Sequence, residues 1–236
     1  MPNPLIIALA VLPGILLAWW MMRQDKYEQE NRWFLLLAFG IGMLITVPAM
    51  WLETWLAGLG FDDPEHFGKI LFFAFIGVAL VEEALKAIGI LIFPFFQPFF
   101  NEPIDGIVYT VMVGLGFATL ENVLYADRFG LETVILRAFT AVPAHAAFSV
   151  IMGFFIGKAK MEGSRKRWVL FMQGIGLAVL VHGFYDFFIL QSLYSWLIIF
   201  AIAVLFASAY LSRRMILMHQ EVSPFRQTAE DGGLNP

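Results

Sequence analysis

The 236-residue chain contains no cysteine, which excludes a disulfide scaffold, a thiol nucleophile and any cysteine-ligated zinc or iron–sulfur centre. Charge is scarce as well. Only 14% of residues are Asp, Glu, Lys or Arg, and the formal net charge is −4. The basic residues lie in short segments with no continuous stripe, so nucleic acid is not an expected partner. There is no internal repeat of domain size and no HExxH signature. No basic residue precedes the first apolar run, which argues against a cleaved signal peptide. Apolar residues dominate what remains. The chain is 60% hydrophobic and 16% aromatic, with a mean hydropathy of +0.76 that lies outside the soluble range.

Runs of about 20 apolar residues, enough to cross a bilayer, occur at Pro4 to Met22, Trp33 to Trp55, Ile70 to Phe93, Ile104 to Leu124, Ala138 to Gly157, Trp168 to Leu190 and Leu193 to Leu211. They predict an all-α, polytopic transmembrane bundle of about seven helices. Under the positive-inside rule it is N-out and C-in. Inside segments then hold Arg23, Lys26 and Arg32, a second group from Lys158 to Arg167, and Arg213, Arg214 and Arg226. Outside segments hold only Lys69, Arg128 and Arg137. Residues 1–211 form the membrane domain, and residues 212–236 read as a disordered cytoplasmic tail. The outside loop Gly58 to Gly68 is acidic. The inside loop Pro94 to Pro103 is too apolar for a plain connector and is expected to dip into the interface or cap the bundle. Paired small residues, such as Gly153 and Gly157 four apart, signal close helix packing.

Polar groups at membrane depth are costly, roughly 2.5–3.5 kcal/mol for each charge at a helix centre. Glu82, Glu83 and Lys86 place three such groups within five residues of one run. Lys86 is in i+4 reach of Glu82 and i+3 reach of Glu83, yet the two acids point about 100° apart, so one lysine is expected to serve both imperfectly. Other runs add Glu121, His145 with Ser149 one turn later, and His182 with Asp186. Asp186 is spaced to orient His182, and Phe117 is spaced to keep water from Glu121. Asn122 and Tyr125 stand beside Glu121 as supporting residues. A desolvated carboxylate near other acids suits proton abstraction from water, so the chemistry implied is hydrolysis. A lone intramembrane His or Asp is often only an interhelical hydrogen-bonding residue; the joint set is hard to explain that way. His66 and His219 are expected to be solvated bystanders, and Glu53 interfacial.

Residues Glu82 to Lys86 match an EExxK motif, Phe117 to Glu121 match FxxxE, and His182 to Asp186 match HxxxD, in that order on three separate runs. From about Leu71 to Leu190 the chain resembles the PrsW family of intramembrane glutamic-type proteases, within the superfamily of CAAX prenyl proteases and bacteriocin-immunity membrane proteins. The resemblance implies a bacterial, multi-pass protease of the cell membrane. Its substrate would be a single-pass membrane protein such as an anti-sigma factor, cut first on the extracytoplasmic side in stress signalling. Glu82 and Glu83 would be the catalytic acids, completed by Glu121, His145, His182 and Asp186, with Lys86 holding one glutamate ionised and no cofactor. The prenyl-protease branch has EExxxR instead, so which of Glu82 and Glu83 is the base stays open. A metal-dependent protease, with Glu, His and Asp as ligands, is the nearest alternative. A proton-coupled transporter or a catalytically idle scaffold are the others.

Overall fold

The computed structural model describes residues 3–227, and among them helices are the only regular structure. Asn3 and Asn31 open the first two helices, α1 (Pro4–Met22) and α2 (Arg32–Gly58), each accepting a hydrogen bond from a first-turn amide. Next comes a continuous helical stretch: α3 (Phe67–Phe72), a π-helical segment (Phe73–Leu80) and α4 (Val81–Ile92). The remaining helices are α5 (Pro103–Phe129), α6 (Leu131–Phe139), α7 (Ala141–Met161), α8 (Ser164–Leu190) and α9 (Ile198–Glu221). Six helical stretches are long and apolar enough to cross a membrane as single helices. The interrupted stretch Phe67–Ile92 makes the seventh. This is a multi-pass membrane protein.

Helix α5 is the axis of the bundle and is buried almost throughout. It is started by Pro103 in the first turn and by a reciprocal capping box between Glu102 and Asp105. The helices around it come close because small residues face one another. A Cβ on Gly153 would press into the Gly106 carbonyl oxygen and lie 2.7 Å from Ile107 Cα. Gly153→Val is therefore expected to push α7 off α5 and cost about 2–3 kcal/mol. Thermal unfolding in detergent checks this; an unchanged midpoint would show that the crossing has slack.

The loop Pro94 to Pro103, expected on the inside, packs onto the bundle. Phe95 and Phe100 are fully buried, Phe95 packs on Phe171, and Phe100 stacks on Tyr109. Segments assigned to one side of the membrane also meet one another. On the outside, Ser192 N donates to Pro64 O at 3.0 Å; on the inside, Gln220 Nε2 donates to Gln24 O at 2.6 Å.

Two differences from the sequence reading are local. Residues 131–137, left between two apolar runs, form most of α6, whose apolar positions Leu131, Val134, Ile135 and Ala138 repeat at helical spacing. Helix α9 runs past Leu211 to Glu221, so part of the expected disordered tail is helical. His219 is consequently no bystander: it is buried and stacked on Phe154, with centroids 4.4 Å apart. Residues 228–236 of that tail lie outside the described residues.

Candidate active site

The π-helical segment Phe73–Leu80 directly precedes the two glutamates. Its wider turn re-phases the helix and turns the first two turns of α4 toward the bundle centre. Glu82, Glu83 and Lys86 are all buried there. Contrary to the sequence expectation, one lysine serves both acids well. Lys86 Nζ donates to Glu82 Oε2 at 3.1 Å and to Glu83 Oε1 at 2.7 Å. Its third hydrogen goes to His145 Nδ1 of α7, at 3.1 Å. An ammonium has three donors and all are used. The Phe117 ring of α5 lies beneath it, 4.4 Å from Nζ, so Phe117 cradles the cation as well as bordering Glu121.

Because Lys86 has no lone pair, His145 Nδ1 must accept from it, which leaves the ring proton on Nε2. That proton points at Glu121 Oε2 of α5, 3.1 Å away. On α8, His182 is bracketed by two carboxylates: Nδ1 lies 2.9 Å from Glu83 Oε1 and Nε2 lies 3.1 Å from Asp186 Oδ2. The two imidazoles stand edge to face, 5.2 Å between centroids. Phe148 stacks on His182 and excludes water from that side. Every catalytic candidate read from the sequence thus joins one hydrogen-bonded network.

The supporting residues divide. Tyr125 lies under the Arg137 guanidinium at 4.0 Å and so borders the site. Asn122 faces away, its Nδ2 donating to Ala10 O of α1 at 3.0 Å, and it holds two helices together. Ser149 sits against Gly114 as a packing contact.

Residues 30–211 match the family described as PrsW family intramembrane metalloprotease. The chain belongs to the PrsW family. Among curated relatives, "Protease PrsW" of Geobacillus kaustophilus (strain HTA426) is 40% identical over 185 residues, covering 78% of this chain and 80% of the relative. "Protease PrsW" of Bacillus subtilis (strain 168) is 36% identical over 193 residues, covering 81% and 85%. No solved structure matches. The resemblance read from three short motifs therefore extends over most of the chain, and peptidase activity in the membrane follows from it.

The family's description names a metal. Glu82, Glu83, His145 and His182 each bring a ligand atom within 4.8 Å of the others, a plausible set for a borderline divalent ion. Lys86 Nζ, however, is already hydrogen-bonded to three of the four. A metal between them would meet a buried ammonium and find His145 Nδ1 occupied. With Lys86 in this place the residues do not fit a metal ion.

Two further residues of the site were not found from the sequence. Arg137, counted only as an outside charge, reaches in from α6 so that Nη2 lies 2.7 Å from Glu121 Oε2. The helical spacing of apolar residues around it was the available signal. Glu53, expected at the interface, has its Oε1 buried without a partner and interacts electrostatically with Glu82, Glu121, Asp186 and His182. The exposed edge of the network consists of Asp186 and Arg137, whose side chains keep 17% and 15% of their accessible surface. Under the predicted topology Asp186 lies near the outside end of α8, and Arg137 lies in the last turn of α6, between α5 and α7. At 1.5 Å per residue, Glu121 is about 12 Å from the outer end of α5 and His182 about 12 Å from that of α8.

Proposed function

We propose that this PrsW-family chain is an intramembrane endopeptidase that cuts a single-pass membrane protein near its extracytoplasmic boundary with glutamate-activated water. The substrate class implied by the family motifs is an anti-sigma factor, released in a stress response. The observation that carries the mechanism is the Lys86 ammonium at the centre of the network, with all three donors engaged. It supplies internally the positive charge that a metal would otherwise supply.

Under this reading the two acids have different tasks. Glu83 is held through one oxygen by both Lys86 and His182 and acts as their counter-ion. Glu82 has one hydrogen bond from Lys86 and keeps acceptor capacity, so it is the base. Glu82 takes one proton from water while the water oxygen bonds to the scissile carbonyl carbon. His182, fixed through Nδ1 by Glu83 and through Nε2 by Asp186, stabilises the developing oxyanion by the charge of a ring that donates from both nitrogens. Collapse breaks the carbon–nitrogen bond, and the amine leaves with the proton from Glu82. His145, fixed by Lys86 and Glu121, keeps Glu82 and the water in register.

A second reading, a metal-dependent peptidase, draws on the donor geometry of Glu82, Glu83, His145 and His182 and requires Lys86 to swing away. The test is reconstitution in vesicles with a single-pass anti-sigma factor, with and without a strong chelator. Cleavage should persist in chelator and map to the extracytoplasmic side of the substrate helix. Loss of cleavage restored by Zn2+ would transfer the activity to the metal reading, and a cut on the cytoplasmic side would overturn the topology.

A further inference from the structure

A cleft of about 520 Å³ opens between α1 and α9. Its floor is Val111 of α5 with Ala146 and Ala147 of α7, and its walls are Trp20 of α1 and Ile216 of α9. At 100° per residue, the α7 positions that line it lie roughly opposite His145, so the cleft is on the far side of α7 from Lys86. A second cleft, of about 400 Å³, continues it toward α6 and shares Leu17 and Pro143 with it. From Leu9 to Met21 on α1 the two run about 18 Å at 1.5 Å per residue, slightly more than the ~15 Å of hydrocarbon in one leaflet. The floor is buried, whereas Leu12, Leu16 and Trp20 on the rim keep 48%, 54% and 47% of their surface. On helices that span a membrane, such a rim opens sideways to lipid.

One end of this apolar space is charged. Arg213 of α9 lines it together with Gln24, just past α1, at the end expected to face the cytoplasm. Arg213 is exposed, and among the described residues no Asp or Glu pairs with it. The other polar groups there are engaged elsewhere: Ser212 Oγ donates to Ala147 O at 3.2 Å, and Gln24 O accepts from Gln220 Nε2 at 2.6 Å. Arg23, whose guanidinium lies 4.9 Å over the Trp19 ring, adds a second positive charge next to Gln24. A guanidinium alone would be served by water and free anions, and an apolar slot alone by any hydrocarbon chain. Placed end to end, the two match an anion that carries a hydrocarbon tail.

We propose that this cleft holds an anionic glycerophospholipid, with its phosphate at Arg213 and one acyl chain lying along α1 toward α6. A guanidinium grips a phosphate through parallel N–H donors, and basic pockets between membrane helices at the cytoplasmic face are where acidic headgroups are held. In a zwitterionic lipid the headgroup ammonium cancels part of that attraction, so the site selects for net negative charge. Occupancy ties α1 to α9 and backs the turn of α7 that presents His145 to Lys86. The site stands apart from the peptidase chemistry, and its test reads binding without cleavage.

The experiment uses the full chain in a non-ionic detergent, stripped of lipid and then titrated with dioctanoyl phosphatidylglycerol or dioctanoyl phosphatidylcholine while thermal unfolding is followed. Saturating phosphatidylglycerol should raise the midpoint by about 5 °C or more, and phosphatidylcholine by clearly less. Arg213→Gln, at an exposed position, should stay folded and respond weakly and equally to the two lipids. Ala146→Leu and, from the opposite wall, Leu17→Phe each fill the cleft and should abolish both responses. Equal shifts with the two lipids in wild type, or a phosphatidylglycerol preference that survives Arg213→Gln, would overturn the headgroup assignment. Lipid responses that survive both filling variants would take the acyl chain out of the cleft. Sodium phosphate reproducing the full shift would reduce the site to one for a free anion. A lipid-free midpoint that rises with protein concentration would give the cleft to a second copy of the chain.

Discussion

Glu82→Gln is expected to lower the rate of substrate cleavage by about 10²–10⁴-fold while the protein stays folded. The amide matches the carboxylate in size but cannot take a proton from water, and a positioned general base contributes a factor of that order. Folding should survive because Lys86 keeps Glu83 at 2.7 Å as its counter-ion. Glu83→Gln should behave differently. It removes the shared acceptor of Lys86 and His182 and should lose stability together with activity. Single-turnover cleavage in vesicles and thermal unfolding of both variants separate the roles. Wild-type cleavage by Glu82→Gln would eliminate Glu82 as the base, and equal destabilisation by the two substitutions would remove the distinction between them.

Lys86→Met should be the most damaging single change in the chain. Removing one partner of a buried charge network leaves the others uncompensated, typically at a cost of about 3–5 kcal/mol. Here Glu82 and His145 Nδ1 would lose their Lys86 donor, Glu83 would keep only His182, and Phe117 would lose its cation. Activity should vanish with stability. Lys86→Arg should restore charge but little function, since a planar fork spreads its donors where three acceptors converge on one nitrogen. A triple variant provides the check. Lys86→Met combined with Glu82→Gln and Glu83→Gln should recover most of the lost stability, because the stranded charges are gone. If the triple variant is no more stable than Lys86→Met alone, Lys86 is not the compensating charge at this site.

The motif residues in the membrane could be recognised in the sequence because each breaks a long apolar run. Glu82, Glu83, Lys86, Glu121, His145, His182 and Asp186 are polar where polarity is costly, and their hydrophobic surroundings mark them. Glu53 and Arg137 lacked that contrast. Both lie near the outer ends of runs, where a charge can reach water, and only packing shows that they turn inward. The buried acids between α1 and α2 were hidden for the same reason. Asp25, Glu28 and Glu30 occupy a polar connector, and nothing local says that α5 and the segment after α9 bury them.

The sequence by itself determined the all-α membrane bundle, the approximate positions of the spans and the family, because hydropathy and motif spacing are local properties. Tertiary structure alone decided that one ammonium satisfies two acids and a histidine. The angle between Glu82 and Glu83 on an ideal helix argued against this, but a long flexible lysine, the π-helical segment before it and the placement of His145 on a different helix overcame that angle. Those relations join residues up to 59 positions apart in sequence, and only packing of the helices around α5 brings them within hydrogen-bonding distance.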